Sequence, residues 1–188
     1  AKNVHIGTSS LRRRAMLASL RPDLKMEDMR GNVPTRIEKL LSGQVDGIVL
    51  AEAGLRRLGL LNGLKERGLD FHLLPVEDIC PAPSQGALAI QVRSTDTWAT
   101  NCVAELHDHQ SGSAVQLERS LLARFGGGCH LPLGVYVELS GSVFQLRALV
   151  AAPDGSERLE VCFSSDDGES LVEKAYQSLI QQGAQRYL

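Results

Sequence analysis

Apolar runs and amphipathic stretches alternate over the first sixty residues, and the alternation predicts strands and helices in turn. VHI (4–6) has the length of a short strand, GTSS follows as a turn ending in helix-capping residues, and LRRRAMLASL predicts a helix that RPD stops. KMEDM (25–29) is a weaker strand pattern, and RGNVP is a loop. PTRIEKLLSG then places a proline in a first helical turn, Ile37, Leu40 and Leu41 on one side, and Gly43 at the stop. VDGIVLA (45–51) is a continuous apolar run of the kind buried on both faces of a parallel sheet, and EAGLRRLGL is a short helix. Strands alternating with helices predict an α/β domain with a parallel sheet, whose functional loops lie at the carboxyl ends of the strands, where GTSS and RGN fall.

Residues 61–86 are loop-rich, and ALAIQV (87–92) again has a buried-strand pattern. Beyond about residue 98 the pattern changes. WATNCVAELHD and SAVQLERSLLARF predict helices, the second with Ser113 and Gln116 at capping-box spacing. LPLGVYVEL, VFQLRALVA and RLEVCFS predict three strands separated by SGS and PDGS turns, and ESLVEKAYQSLIQQ closes the chain as an amphipathic helix. This predicts a small α+β domain with a three-stranded antiparallel sheet.

Composition sets bounds on this picture. The 188 residues are 43% hydrophobic and 22% charged, enough to bury a core. A net charge of -2 supplies no bulk attraction to nucleic acid or an anionic membrane, and neither is expected as a partner. The chain lacks the apolar run of about 18 residues that a membrane helix needs and has no signal-peptide core, so a cytoplasmic location is expected. Cys80, Cys102, Cys129 and Cys162 are far apart and without ligand spacing, which argues against a zinc site or disulfide framework. His107 and His109 in HDH have no further ligands beside them, and no metal is expected.

The basic residues are locally concentrated. Arg12 and Arg13 sit in a first helical turn, where cations are disfavoured unless an anion joins them. Arg30, Arg36 and Arg57 follow at the next two strand-to-helix connections, which would bring guanidinium groups to one cleft and make a polyanion site. The RRR run alone is equally a solvated helix face, and the spacing does not separate phosphate from carboxylate. In FGGGCHLP (125–132), glycines leave Cys129 accessible to bulky chemistry; a bystander cysteine at a helix-to-strand corner is the alternative.

Taken together, GTSSLRR, RGNVPTR, AGLRRLGL, SQGALAIQVR, LERSLLARFGGGCHLPLGVY and LRALVAAPDGS resemble, in order from about residue 4 to 186, the porphobilinogen deaminase (hydroxymethylbilane synthase) family. The resemblance implies half of a periplasmic-binding-protein-like fold over 1–84, a hinge strand over 85–97 and a C-terminal α+β domain over 98–188. It implies a dipyrromethane cofactor joined to Cys129 by a thioether. Thr8, Ser9, Ser10, Arg12, Arg13 and Arg36 would bind that cofactor, and Arg30, Asn32, Arg36, Arg57 and Gln85 the substrate. The implied transferase reaction, in haem and tetrapyrrole biosynthesis, condenses four porphobilinogens into linear hydroxymethylbilane with release of ammonia.

The sequence departs from the family pattern in two ways. Gly126 stands where an acidic residue is common. The family's N-terminal domain, with its catalytic aspartate, has no counterpart here, and Asp46, Glu52, Glu77 and Asp78 match no family role, so no catalytic residue is assigned. The expected partners are porphobilinogen, the growing polypyrrole chain and a separate N-terminal domain chain, with the cofactor absent if this chain is alone. A catalytically silent anion-binding relative is the competing expectation. In the family ALAIQV returns to the N-terminal domain, and without that sheet it would be an unpaired apolar strand.

Overall fold

A computed structural model of the protein describes residues 3–128 and 130–188. Its first part is a parallel sheet in the order β2-β1-β3, formed by β1 (His5–Gly7), β2 (Lys25–Glu27) and β3 (Gly47–Ile48). The crossovers are α1 (Leu11–Leu20) and α2 (Val33–Leu41), and α3 (Glu52–Arg57) follows β3. Ser10 caps α1 by accepting from the Arg13 N–H, and Asn32 caps α2 by accepting from the Thr35 N–H.

Two apolar runs behave differently from the sequence pattern. VDGIVLA pairs over only two residues and is half-buried, with Val45 alone fully inside. The sheet is too small to cover both its faces. ALAIQV is not a buried strand: Leu88 is 77% and Ile90 57% exposed, and the segment has no strand partner among the described residues. Its apolar pattern demands a sheet edge that these residues do not provide.

The second part comprises α4 (Thr97–Ala104), α5 (His109–Arg124), β4 (Leu133–Ser140), β5 (Val143–Ala151), β6 (Arg158–Ser165) and α6 (Gly168–Gln181). Its sheet is antiparallel in the order β4-β5-β6. The capping expectation at Ser113 is corrected, because α5 starts earlier: Asp108 is the N-cap and accepts from the Ser111 N–H, leaving Ser113 inside the helix. A side-chain oxygen satisfies only a first-turn donor.

β5 explains how the two parts adhere. With a side-chain period of two, Leu146, Ala148 and Val150 face the core formed with Leu121, Leu171, Ala175 and Leu179 of α5 and α6. Leu149 and Ala151 face the other way and pack with Ala15 and Met16 of α1, plus Ile79 and Cys80. A strand covered on both faces needs an almost continuous apolar run, which VFQLRALVA supplies. Gly134 allows the 80–81 segment to lie against β4: a Cβ there would come within 2.6 Å of the Cys80 carbonyl oxygen, and the Val135 N–H donates to the Pro81 carbonyl at 3.0 Å.

Candidate anion-binding site

The loop from β1 to α1 holds itself together through its hydroxyls. Thr8 is fully buried, its N–H donates to the Glu27 carbonyl, and its Oγ1 accepts from the Ser10 N–H. Ser9 Oγ accepts from the Met29 N–H at 3.1 Å, tying the ends of β1 and β2 together. These bonds place Arg12 and Arg13 at the start of α1, beside a helix terminus that already favours an anion.

Arg12 points inward and is 6% exposed, yet its described hydrogen-bond partners are neutral oxygens: Nη1 donates to the Cys80 carbonyl and Nη2 to Gln85 Oε1 at 3.4 Å. Burial, reinforced by repulsion from Arg13, lowers its pKa to about 10. Arg13 donates to the Val49 carbonyl at 2.9 Å and to Gln85 Oε1 at 3.2 Å. Burial pulls its pKa below the ordinary value, and repulsion from Arg36 pulls it further. Arg57 Nη2 donates to the Gly86 carbonyl at 2.9 Å, one residue along from Gln85. Arg36 Nε donates to the Gly31 carbonyl at 2.8 Å.

The structure therefore brings Arg12, Arg13 and Arg57 onto one turn, with Arg36 close enough to repel Arg13. Arg30 is less integrated: its guanidinium makes no hydrogen bond or ion pair among the described residues, and its carbonyl accepts from Lys39 Nζ. Asn32 spends its side-chain oxygen on Thr35, receiving both the backbone N–H and Oγ1–H.

Carboxylate pairing separates these arginines from their neighbours. Arg14 pairs with Asp28, Arg21 with Asp23, Arg56 with Glu52 and Arg67 with Glu38. Among the described residues, no carboxylate lies within ion-pair distance of Arg12, Arg13, Arg30, Arg36 or Arg57. Two other acids noted in the sequence have partners of their own: Glu77 pairs with Arg147, and Asp46 accepts from the His5 N–H. By contrast, a groove of about 480 Å³ between α5 and α6 is lined by one arginine, Arg124, already paired with Glu173.

Cys129 lies outside the described residues, but the approach to it does not. α5 ends in a Schellman motif, with the Gly126 N–H donating to the Ala123 carbonyl and the Gly127 N–H to the Leu122 carbonyl. Gly126, Gly127 and Gly128 all have positive φ, at 84°, 67° and 130°. Three successive residues in that region require glycine, which gives GGG a backbone reason.

Sequence reasoning missed Glu118. It is 6% exposed, and its two oxygens accept from the Ser84 N–H at 2.6 Å and the Val137 N–H at 2.9 Å. Burial pushes its carboxyl pKa up, while those two donors oppose the shift. A signal was present, because Glu118 interrupts the helical stripe of Ala114, Leu117, Leu121, Leu122 and Phe125.

The family model described as "Porphobilinogen deaminase, dipyromethane cofactor binding domain" matches residues 1–101, and "Porphobilinogen deaminase, C-terminal domain" matches residues 113–181. A porphobilinogen deaminase from Streptococcus sanguinis (strain SK36) is 40% identical over 181 residues, covering 95% of this chain and 57% of that relative. The chain thus spans little more than half the length of the curated relative it matches. With one family domain over its parallel-sheet part and another over its antiparallel part, the chain belongs to the porphobilinogen deaminase family.

Proposed function

We propose that this chain carries the cofactor- and carboxylate-binding part of a hydroxymethylbilane synthase, the transferase that joins four porphobilinogens head to tail with release of ammonia. The observation that carries this reading is the set of arginines left without carboxylates, on a turn where Arg12 and Arg13 repel one another. Dipyrromethane fits such a site because its acetate and propionate groups supply the missing negative charges. Bound to Cys129 by a thioether, it would provide the pyrrole carbon from which the chain grows.

The residues of the chain then have distinct tasks. Arg12, Arg13 and Arg36, with the Thr8–Ser10 loop, hold the carboxylates of the cofactor. Arg30, Asn32, Arg57 and Gln85, with Arg36 shared between the two sets, hold those of porphobilinogen and the lengthening product. Each planar guanidinium fork orients a carboxylate as well as neutralising it. At Arg12 and Arg13 burial strengthens that attraction by reducing screening by water.

The described carboxylates do not face this cluster within ion-pair distance, so the acid that stabilises cationic character during condensation is assigned to the portion of the family's length outside this chain. An N-terminal domain is the corresponding partner. The division of labour follows 1–84 for anion binding, 85–97 for the hinge and 98–188 for the cysteine-bearing domain. A cytoplasmic location suits Cys80, Cys102 and Cys162, all free thiols. No helix among the described residues is long and apolar enough to cross a membrane.

Intact mass spectrometry with mapping of the FGGGCHLP peptide, alongside an assay of porphobilinogen consumption with the N-terminal domain present, tests the reading. A dipyrromethane-sized adduct on Cys129 and turnover are expected. An unmodified Cys129 in a preparation that consumes porphobilinogen would overturn the assignment of the attachment residue. Tight assembly with the N-terminal domain but no consumption would overturn the activity.

A further inference from the structure

Ser84 is held in a conformation that serine disfavours. Its φ is 65°, and among the described residues only Asn3 shares a positive φ without being glycine. The Gln85 N–H donates to the Ala82 carbonyl at 2.9 Å, closing a turn with Pro83 second and Ser84 third. A type II turn requires a positive φ at its third residue, ordinarily glycine, and favours proline at its second. Ser84 Oγ is buried and has no hydrogen-bond partner among the described residues, so the side chain itself does not secure this geometry. Strain of this kind persists only where the surroundings impose it.

Glu118 provides that constraint. Oε2 accepts from the Ser84 N–H at 2.6 Å, while Oε1 accepts from the Val137 N–H at 2.9 Å, so the turn is clamped to α5 and β4 together. The next two residues meet the arginines: Gln85 Oε1 accepts from Arg12 and Arg13, and the Gly86 carbonyl accepts from Arg57. We infer that Glu118 is a positioning residue of the anion site, holding the Pro83–Gly86 turn so that it arrays Arg12, Arg13 and Arg57 for a multiply carboxylated ligand. This rests on the anion-site reading above. Glu118 lies in α5, the helix that ends in the glycine loop 126–128.

The test compares the unaltered chain with Glu118→Gln, Ser84→Gly and the double variant, using propane-1,2,3-tricarboxylate as the probe in an NMR titration. Amide exchange at residues 84–87 is measured in parallel. A glutamine has one acceptor oxygen and can satisfy only one of the two N–H groups. Loss of this charge-assisted bond is expected to weaken tricarboxylate binding about tenfold and speed exchange at the turn by a similar factor.

Ser84→Gly makes the turn intrinsically favourable, so the double variant should bind within about twofold of Ser84→Gly alone. A role in general stability would not be rescued by a glycine in the turn. Unchanged binding and exchange in Glu118→Gln, or equal losses with and without Ser84→Gly, would overturn the inference. Failure of the unaltered chain to bind the tricarboxylate would overturn the anion-site reading instead, while exchange would still decide whether Glu118 sets the turn.

Discussion

Arg13 and Arg14 are adjacent in one helix and have opposite electrostatic circumstances. Arg14 is paired with exposed Asp28, whereas Arg13 has carbonyl and amide oxygens for partners and another guanidinium nearby. A charge without a counter-ion gains more from an arriving carboxylate than one already paired, because no competing carboxylate must first be displaced. Arg13→Ala should weaken tricarboxylate binding by roughly 10- to 100-fold, the loss of one charge-assisted contact, and Arg14→Ala by less than about twofold. Calorimetric titration of the two variants checks this, and equal losses would argue that only net charge matters. The arginine-rich loops were legible in the sequence because their residue types and loop positions are local features. The identity of the unpaired arginines was not, since Asp28 and Glu38 become partners of Arg14 and Arg67 only through the fold.

At the scale of elements, turns connect the two parts as much as helices and strands do. The PDGS turn between β5 and β6 was expected from its residues, and Gly155 takes it up with φ 76°. Its second role was not legible: a Cβ at Gly155 would stand 2.4 Å from the Ala18 carbonyl carbon and 2.6 Å from the Ser19 nitrogen, both backbone atoms of α1. Backbone cannot swing aside as a side chain can. Gly155→Ala should therefore cost about 2–4 kcal/mol, combining left-handed strain with overpacking. Urea unfolding should show the loss as a lower midpoint at an unchanged slope. A loss below about 1 kcal/mol would mean that α1 and the turn separate easily.

Across the whole molecule, the shared core of Ala15, Met16, Ile79, Cys80, Leu149 and Ala151 couples the parallel-sheet part to the antiparallel one. Met16 is fully buried, so Met16→Ala should cost about 2–5 kcal/mol through the cavity it leaves. Because the residue packs against β5, amide protection should fall in β5 as well as in α1, and hydrogen exchange would register both. Loss of protection confined to α1 would show that the two parts open independently. The exposed 87–92 segment belongs to the same scale: its burial depends on polypeptide that can offer a sheet edge, so no local pattern could place it.

The sequence by itself determined the order of elements outside 87–92, the parallel and antiparallel characters of the two sheets, the capped start of α1 and the glycine-rich exit of α5. Each depends on neighbours a few residues apart, through helical or strand periodicity and backbone preference. Tertiary structure alone decided the depth of Arg12 against the Cys80 carbonyl, the convergence of Arg12, Arg13 and Arg57 on residues 85–86, and the clamp from Glu118 to Ser84. Those contacts join residues 29 to 73 positions apart, and desolvation and Coulomb forces act through space.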